Sequence, residues 1–217
     1  MIDIRDPRNW NSFDRIVQTM RIDKILALFP KNVKNCIEIG CSSGYILNRV
    51  ESKFKVACTG LDADSKAKFL CNKFYPRIEF LNINLRDIGY NRKWDVVLLP
   101  EIIEHTYYPD ELIATASKIA RKRIIVTTPN RNCIDNEQHY QIFDQKRLYD
   151  ILNKNIPKAK KINVYPVCKD SVFRKNKLFC KLVGRISKYL HIDDLFFKYL
   201  NIGDSNNSVF LLGEVWL

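Results

Sequence analysis

Glu38-Ile39-Gly40-Cys41-Ser42-Ser43-Gly44 follows a short apolar run and leads into a helical pattern. Glycines at such a strand-to-helix turn let the main chain approach a ligand closely, and the helix N-terminus presents free N–H groups. That chemistry suits a nucleotide-like ligand. A G-x-G-x-x-G turn would favour a dinucleotide diphosphate, whereas the spacing here is G-x-x-x-G with an acid two residues ahead, which disfavours one. Twenty-two residues beyond Gly40, Gly60-Leu61-Asp62 sets a carboxylate at the end of the next apolar run, where it can accept both hydroxyls of a ribose. Asn84, in Leu81-Asn82-Ile83-Asn84-Leu85-Arg86-Asp87, can accept from the exocyclic amine of a base and donate elsewhere. The plain alternative for the glycines alone is a tight packed turn.

These groups need a frame, and the chain supplies one. Residues 36–39, 56–61, 78–81, 95–99 and 124–128 are short β-branched or apolar runs suited to buried parallel strands. Between them Tyr45 to Lys53, Ser65 to Phe74 and Asp110 to Arg121 carry apolar residues near a 3.6 period, the second opened by an Asp64-Ser65 cap. This βαβ series predicts an α/β fold with a doubly wound, mostly parallel seven-stranded sheet, whose ligands bind beyond the carboxyl ends of the strands. Ahead of it, Phe13, Ile16, Val17, Met20, Ile25, Leu26 and Leu28 fit one amphipathic helix or two short ones. Behind it, residues 144–152 read as a helix, 161–167 as a sixth strand and 208–217 as a seventh. The stretch between the last two strands is too long for a turn and is expected to be a helical insertion.

At 217 residues, a single core is expected and two independent enzymatic domains are not. The composition, 46% hydrophobic with 7 Gly and 8 Pro, excludes a disordered or fibrous chain. No apolar run approaches the ~20 residues of a membrane-spanning helix. The acidic start, Met1-Ile2-Asp3-Ile4-Arg5-Asp6-Pro7, is unlike a signal peptide, so Met1 is the expected mature start. Seven cysteines without a C-x-x-C pair fit neither a disulfide framework nor a zinc site, and point to a reducing cytoplasm. Residues 154–198 hold twelve Lys or Arg against three Asp, which is +9 of the net +12. Anionic partners or a compositional bias would each account for that excess.

The residues quoted so far resemble the class I S-adenosylmethionine-dependent methyltransferases, over roughly residues 33–152. Glu38 to Gly44 is similar to that family's E/D-x-G-x-G-x-G loop, with Ser42 replacing the middle glycine. More specific are Trp94-Asp95-Val96-Val97-Leu98-Leu99-Pro100-Glu101-Ile102-Ile103-Glu104-His105, then Thr128-Pro129-Asn130, then His139-Tyr140-Gln141-Ile142-Phe143. This E-x-x-E-H, T-P-N and later His pattern resembles ubiquinone-pathway, sugar and natural-product O-methyltransferases, and small-RNA 2′-O-methyltransferases. An amino-methylating N/D-P-P-Y motif is absent, so oxygen is the expected acceptor. The resemblance implies the Rossmann-like methyltransferase fold with S-adenosyl-L-methionine as cofactor. It implies contacts from Glu38, Gly40, Cys41, Ser42 and Gly44, ribose held by Asp62 beside Ala63, adenine by Asn84 and the Leu85 amide, and further contacts from Pro100 and Glu101. At position 84 the family more often has Asp. One domain over 1–217 follows, with a helical cover at 1–32, a cofactor-binding core at 33–152 and a basic insertion at 168–207 on the substrate side.

Methyl transfer from a sulfonium is an in-line displacement, and an alcohol acceptor must also lose its proton. His105 and His139 are natural bases, since imidazole titrates near ~6.5. If 101–105 is one helical turn, Glu101, Glu104 and His105 share a face, and with His139 form a candidate Mg²⁺ or Mn²⁺ site that would acidify the hydroxyl. Metal ligation, direct base catalysis by a histidine with Glu104 in support, and a purely structural role for the loop all stay open here. The expected acceptor is a sugar, a lipid-linked glycan or another small hydroxylated metabolite, with RNA as the alternative. Arg174, Lys177, Lys181, Arg185 and Lys188 recur at helical spacing beside Leu178, Leu182, Ile186 and Tyr189. That basic amphipathic pattern at 174–189 suits peripheral membrane association, phosphate contact or plain solvation.

Overall fold

The computed structural model describes residues 12–130, 139–169 and 208–217. Seven strands form one sheet: β1 Asn35–Ile39, β2 Ala57–Leu61, β3 Glu79–Leu81, β4 Trp94–Pro100, β5 Ala120–Pro129, β6 Lys161–Lys169 and β7 Ser208–Trp216. Their order is β3-β2-β1-β4-β5-β7-β6, with β7 antiparallel to both neighbours and β1–β5 parallel among themselves. The order reverses between β1 and β4, and the crevice at that switch point opens beyond the carboxyl ends of the strands.

The helices are α1 Ser12–Leu28, α2 Tyr45–Phe54, α3 Ser65–Phe74, α4 Pro109–Ile119 and α5 Gln145–Asn155. Local chemistry sets their ends. Asp64 caps α3 by accepting from the Lys66 N–H at 2.9 Å, Asp144 caps α5 by accepting from the Arg147 N–H at 2.7 Å, and Pro109 begins α4. The N-terminal apolar pattern forms one helix, and its Val17, Met20, Ile22, Ile25 and Leu26 are buried. The expected helix Asp110 to Arg121 runs too far. From Ala120 the chain is strand, because Ala120 pairs with Trp94 on one side and Arg123 with Trp216 on the other.

Two apolar layers cover the sheet. One packs Ile37, Val97, Leu99 and Val126 against α4 and α5, and the other packs Cys36, Val96, Leu98 and Ile125 against α1 and α2. Central strands buried on both faces are the reason the parallel runs read as continuous apolar segments. The insertion at 168–207 and the 174–189 pattern lie outside the described residues, apart from Cys168 and Lys169, which belong to β6. Among the described residues no helix is long and apolar enough to cross a membrane. Cys36, Cys41, Cys58 and Cys71 are buried and form no disulfide.

Candidate functional site

β1 ends at Ile39, and the chain turns through Gly40 (φ 72°), Ser42 (φ 48°) and Gly44 (φ 80°) into α2. The left-handed backbone at positions 40 and 44 is where glycine costs least. At Gly40 an added Cβ would stand 2.4 Å from Ile102 Cδ1. The N–H groups of Gly40 and Cys41 both donate to the Leu61 carbonyl, at 2.8 and 3.2 Å, which lashes the loop to the end of β2. Asp62 follows immediately. Its Oδ2 accepts from the Ser42 N–H at 2.9 Å and its Oδ1 from the Asp64 N–H at 3.0 Å. A carboxylate has about four acceptor positions, so this one is fixed by the main chain with capacity left for a vicinal diol.

Gly40, Asp62, Ala63, Asn84 and Leu85 line one cleft of about 560 Å³, bounded also by Ile102, His105, Thr106, Tyr108 and Glu111. That size falls within the range of small-molecule sites. Asn84 is exposed and begins a 3₁₀ turn, Leu85–Asp87, through the bond from the Asp87 N–H to its carbonyl at 3.0 Å. A smaller hollow adjoins the loop, lined by Arg21, Glu38, Ser42, Tyr45, Pro100 and Glu101. Arg21, buried on α1, holds Glu101 Oε1 at 3.2 Å and donates to Thr127 Oγ1 at 3.3 Å. Burial raises the Glu101 carboxyl above its ordinary pKa, against the opposing charge of Arg21.

The residues after β4 do not form one helical turn. Glu101 takes a left-handed backbone (φ 52°), and a 3₁₀ turn spans only Ile103–His105. This corrects the expectation that Glu101, Glu104 and His105 share a face. Glu104, His105 and His139 each offer a ligand atom, and these atoms all lie within 4.8 Å of one another, while Glu101 stands outside the group, turned to Arg21. Glu104 is 1% exposed. Its Oε2 accepts from Thr128 Oγ1 at 3.2 Å, and its Oε1 is buried without a hydrogen-bond partner, 4.0 Å from His105 Nε2. Burial first, then the charge of Glu101, pushes the Glu104 carboxyl well above its ordinary pKa.

His139 reaches this corner from a distant stretch of chain. The Glu104 carbonyl accepts from the N–H groups of Tyr140 and Gln141 at 2.9 and 3.2 Å, Tyr107 stacks on Tyr140 with centroids 3.9 Å apart, and the His105 and His139 rings meet edge to face at 4.9 Å. The Thr128-Pro129-Asn130 run acquires a physical meaning. Thr128 orients Glu104, and Asn130 ties the end of β5 to the start of β7 through Val209 and Ser208.

Sequence reasoning missed Arg21, Tyr45, Thr106, Tyr108 and Glu111. Only Arg21 left a trace in the sequence, as a lone base between Met20 and Ile22 on the buried side of a helix.

A methyltransferase-domain family model matches residues 13–164. The ubiquinone biosynthesis O-methyltransferase of Pelagibacter ubique is 31% identical over 100 residues, 44% of this chain and 41% of that protein. The 235L protein of Invertebrate iridescent virus 6 is 26% identical over 133 residues, 55% of this chain and 50% of the relative. The chain thus spans about half the length of the curated relatives it matches. The plantazolicin methyltransferase BamL superposes with a TM-score of 0.64 at 14% identity, covering 98% of this chain and 87% of that one. A methyltransferase from Archaeoglobus fulgidus gives 0.63 at 13%, covering 92% and 93%. These superpositions show a shared Rossmann-like methyltransferase fold. Since the family model takes in nearly all of α1, the loop after β1, the E-x-x-E-H turn and the start of β6, this chain belongs to the methyltransferase-domain family.

Proposed function

We propose that this protein transfers a methyl group from S-adenosyl-L-methionine to a hydroxyl oxygen of a small hydroxylated acceptor such as a sugar or a lipid-linked glycan. The observation that carries the oxygen assignment is the convergence of Glu104, His105 and His139, of which His105 lines the cleft. The O-methyltransferase relative from Pelagibacter ubique supports it. Bound in the cleft, the cofactor supplies an electrophilic methyl group on a sulfonium.

The residues present fit that molecule. Asp62 keeps acceptor capacity for the ribose, Asn84 and the Leu85 N–H stand beyond the end of β3 for adenine, and Gly40 lines the cleft between, while Gly44 lets the loop pack against Cys71. Arg21, with Glu38 across the same hollow, suits the charged amino-acid end. Glu104, His105 and His139 are left for the acceptor. They would hold Mg²⁺ or Mn²⁺, a donor set of one carboxylate and two imidazoles suited to such ions, and the ion would acidify a hydroxyl bound to it. Glu104 Oε1, buried without a hydrogen-bond partner at the centre of the group, is what a cation would satisfy.

Turnover of a panel of hydroxylated acceptors, assayed with and without chelator, tests this reading. Methylation that chelator abolishes and Mg²⁺ or Mn²⁺ restores is the expected result. Full activity in chelator would assign the proton to His105 or His139 directly. Methylation of amines alone, or of RNA 2′-hydroxyls alone, would overturn the acceptor class.

A further inference from the structure

Lysines gather at the end of the sheet opposite the cleft. β4, β5 and β6 all begin there, and Arg123 and Lys161 flank Trp216 of β7 in register. Lys93 donates to the main-chain carbonyl of Lys118, Lys158 to that of Ala120 at 2.8 Å, Lys160 to that of Leu217 at 3.2 Å and Lys122 to that of Asn32 at 2.9 Å. The Lys93, Lys158 and Lys122 ammonium groups are thereby pinned on neutral carbonyls, and that of Lys160 on a main-chain oxygen of Leu217. Lys122 also meets a side-chain carboxylate, Asp95 at 3.1 Å. The crowding is felt electrostatically, because Lys158 is held below its ordinary pKa, first by burial and then by the charge of Lys93.

We propose that this lysine-lined end of the sheet docks the protein on the headgroups of an anionic lipid bilayer. Asp95 answers Lys122 and Glu214 answers Arg123, but Lys93, Lys118, Lys158 and Lys161 have no carboxylate against them among the described residues, and such an excess of fixed cations is a site for phosphate-bearing surfaces. Its make-up separates the classes of partner. Protein interfaces favour Arg and are poor in Lys, whereas point-charge ammonium groups suit a diffuse surface potential. Two exposed aromatics stand among the lysines, Trp216 at 42% and Tyr90 at 47% exposure. The Arg123 guanidinium covers the Trp216 ring at 3.5 Å and the Lys118 ammonium the Tyr90 ring at 4.9 Å. A ring face covered by a cation is closed to a stacked base, so the arrangement does not favour single-stranded RNA. Tyr and Trp edges beside lysine suit the headgroup layer instead. Docking at this end leaves the cleft, at the opposite end of the strands, open to solvent. The inference stands apart from the identity of the acceptor.

Cosedimentation with phosphatidylcholine vesicles, with and without phosphatidylglycerol, tests it. The full chain should bind only the anionic vesicles. Replacing Lys118, Lys158 and Lys161 together by Gln should weaken binding by about 100-fold, taking roughly five-fold per lysine at the surface. The same loss of charge through Lys66→Gln, Lys68→Gln and Lys73→Gln on α3 should weaken it far less. Quenching of Trp216 emission by brominated lipid, read against Trp216→Phe, reports docking in the wild-type chain whether or not the triple variant folds. Equal loss from the α3 variant, absence of Trp216 quenching, or loss only when Arg174, Lys177 and Lys181 are neutralised would overturn the assignment. So would binding to RNA in place of vesicles.

Discussion

Asp95 and Glu104 lie at opposite ends of the same strand and are almost equally hidden from water, 4% and 1% exposed. Their surroundings differ. Asp95, at the start of β4, accepts from the Lys34 N–H at 2.8 Å and meets the Lys122 ammonium at 3.1 Å. Burial pushes its carboxyl upward, yet these partners more than offset it and leave the group below its ordinary pKa. Glu104, just beyond the end of β4, has one hydroxyl donor and a second carboxylate nearby, and is driven the other way. A buried carboxylate given its partners is scaffold. One left short of them, beside two imidazoles, costs stability, and under the proposed function it acts on something that arrives later.

The largest effects should come from the end left short of partners. Glu104→Gln and His139→Ala should each lower turnover by ~10²–10⁴-fold, the range for losing a proton-handling group, with S-adenosylhomocysteine binding by calorimetry nearly unchanged. If either variant keeps most of its activity, the contrast between the two ends has no functional content. A smaller loss is expected at Asp62, where Ala should weaken S-adenosylhomocysteine by ~1–3 kcal/mol, the cost of leaving a buried polar partner unpaired. Equal binding by wild type and variant would remove Asp62 from the cofactor site.

Legibility in the sequence follows the same divide. The loop from Glu38 to Gly44 and Asp62 are set by strand ends adjacent in the sheet, so period and glycine spacing located both, and the seven strands followed from apolar runs. The corner at Glu104 depends on contacts across long stretches of chain. Its 3₁₀ turn, the positive φ of Glu101 and the bonds from Tyr140 and Gln141 to the Glu104 carbonyl have no periodic signal. Residue types named Glu104, His105 and His139, but only the fold separates Glu101 from them, because Arg21 on α1 draws its carboxylate aside. The end of α4 was misplaced for a related reason: pairing of Arg123 with Trp216 on β7, nearly a hundred residues away, fixes where strand begins.

The smallest expected effect is on stability, and its sign differs between the two carboxyls. Glu104→Gln removes an ionisable group from a site that disfavours charge, so the folded state should be as stable as wild type or more so. Asp95→Asn keeps an acceptor for the Lys34 N–H but loses the charge opposite Lys122. Because the Lys122 side chain is 47% exposed, solvent screens that pair, and the loss should be only about 1 kcal/mol at neutral pH. The pH dependence identifies the cause. A carboxyl whose folded pKa lies below its unfolded value, ~3.9 for Asp, stabilises the fold above that value and ceases to do so as pH falls through the folded pKa. Urea midpoints of wild type and Asp95→Asn should therefore differ most near neutrality and converge as the pH is brought below ~4. A gap that stays constant across that range would mean that Asp95 acts through shape and hydrogen bonding alone, and that charge does not distinguish it from Glu104.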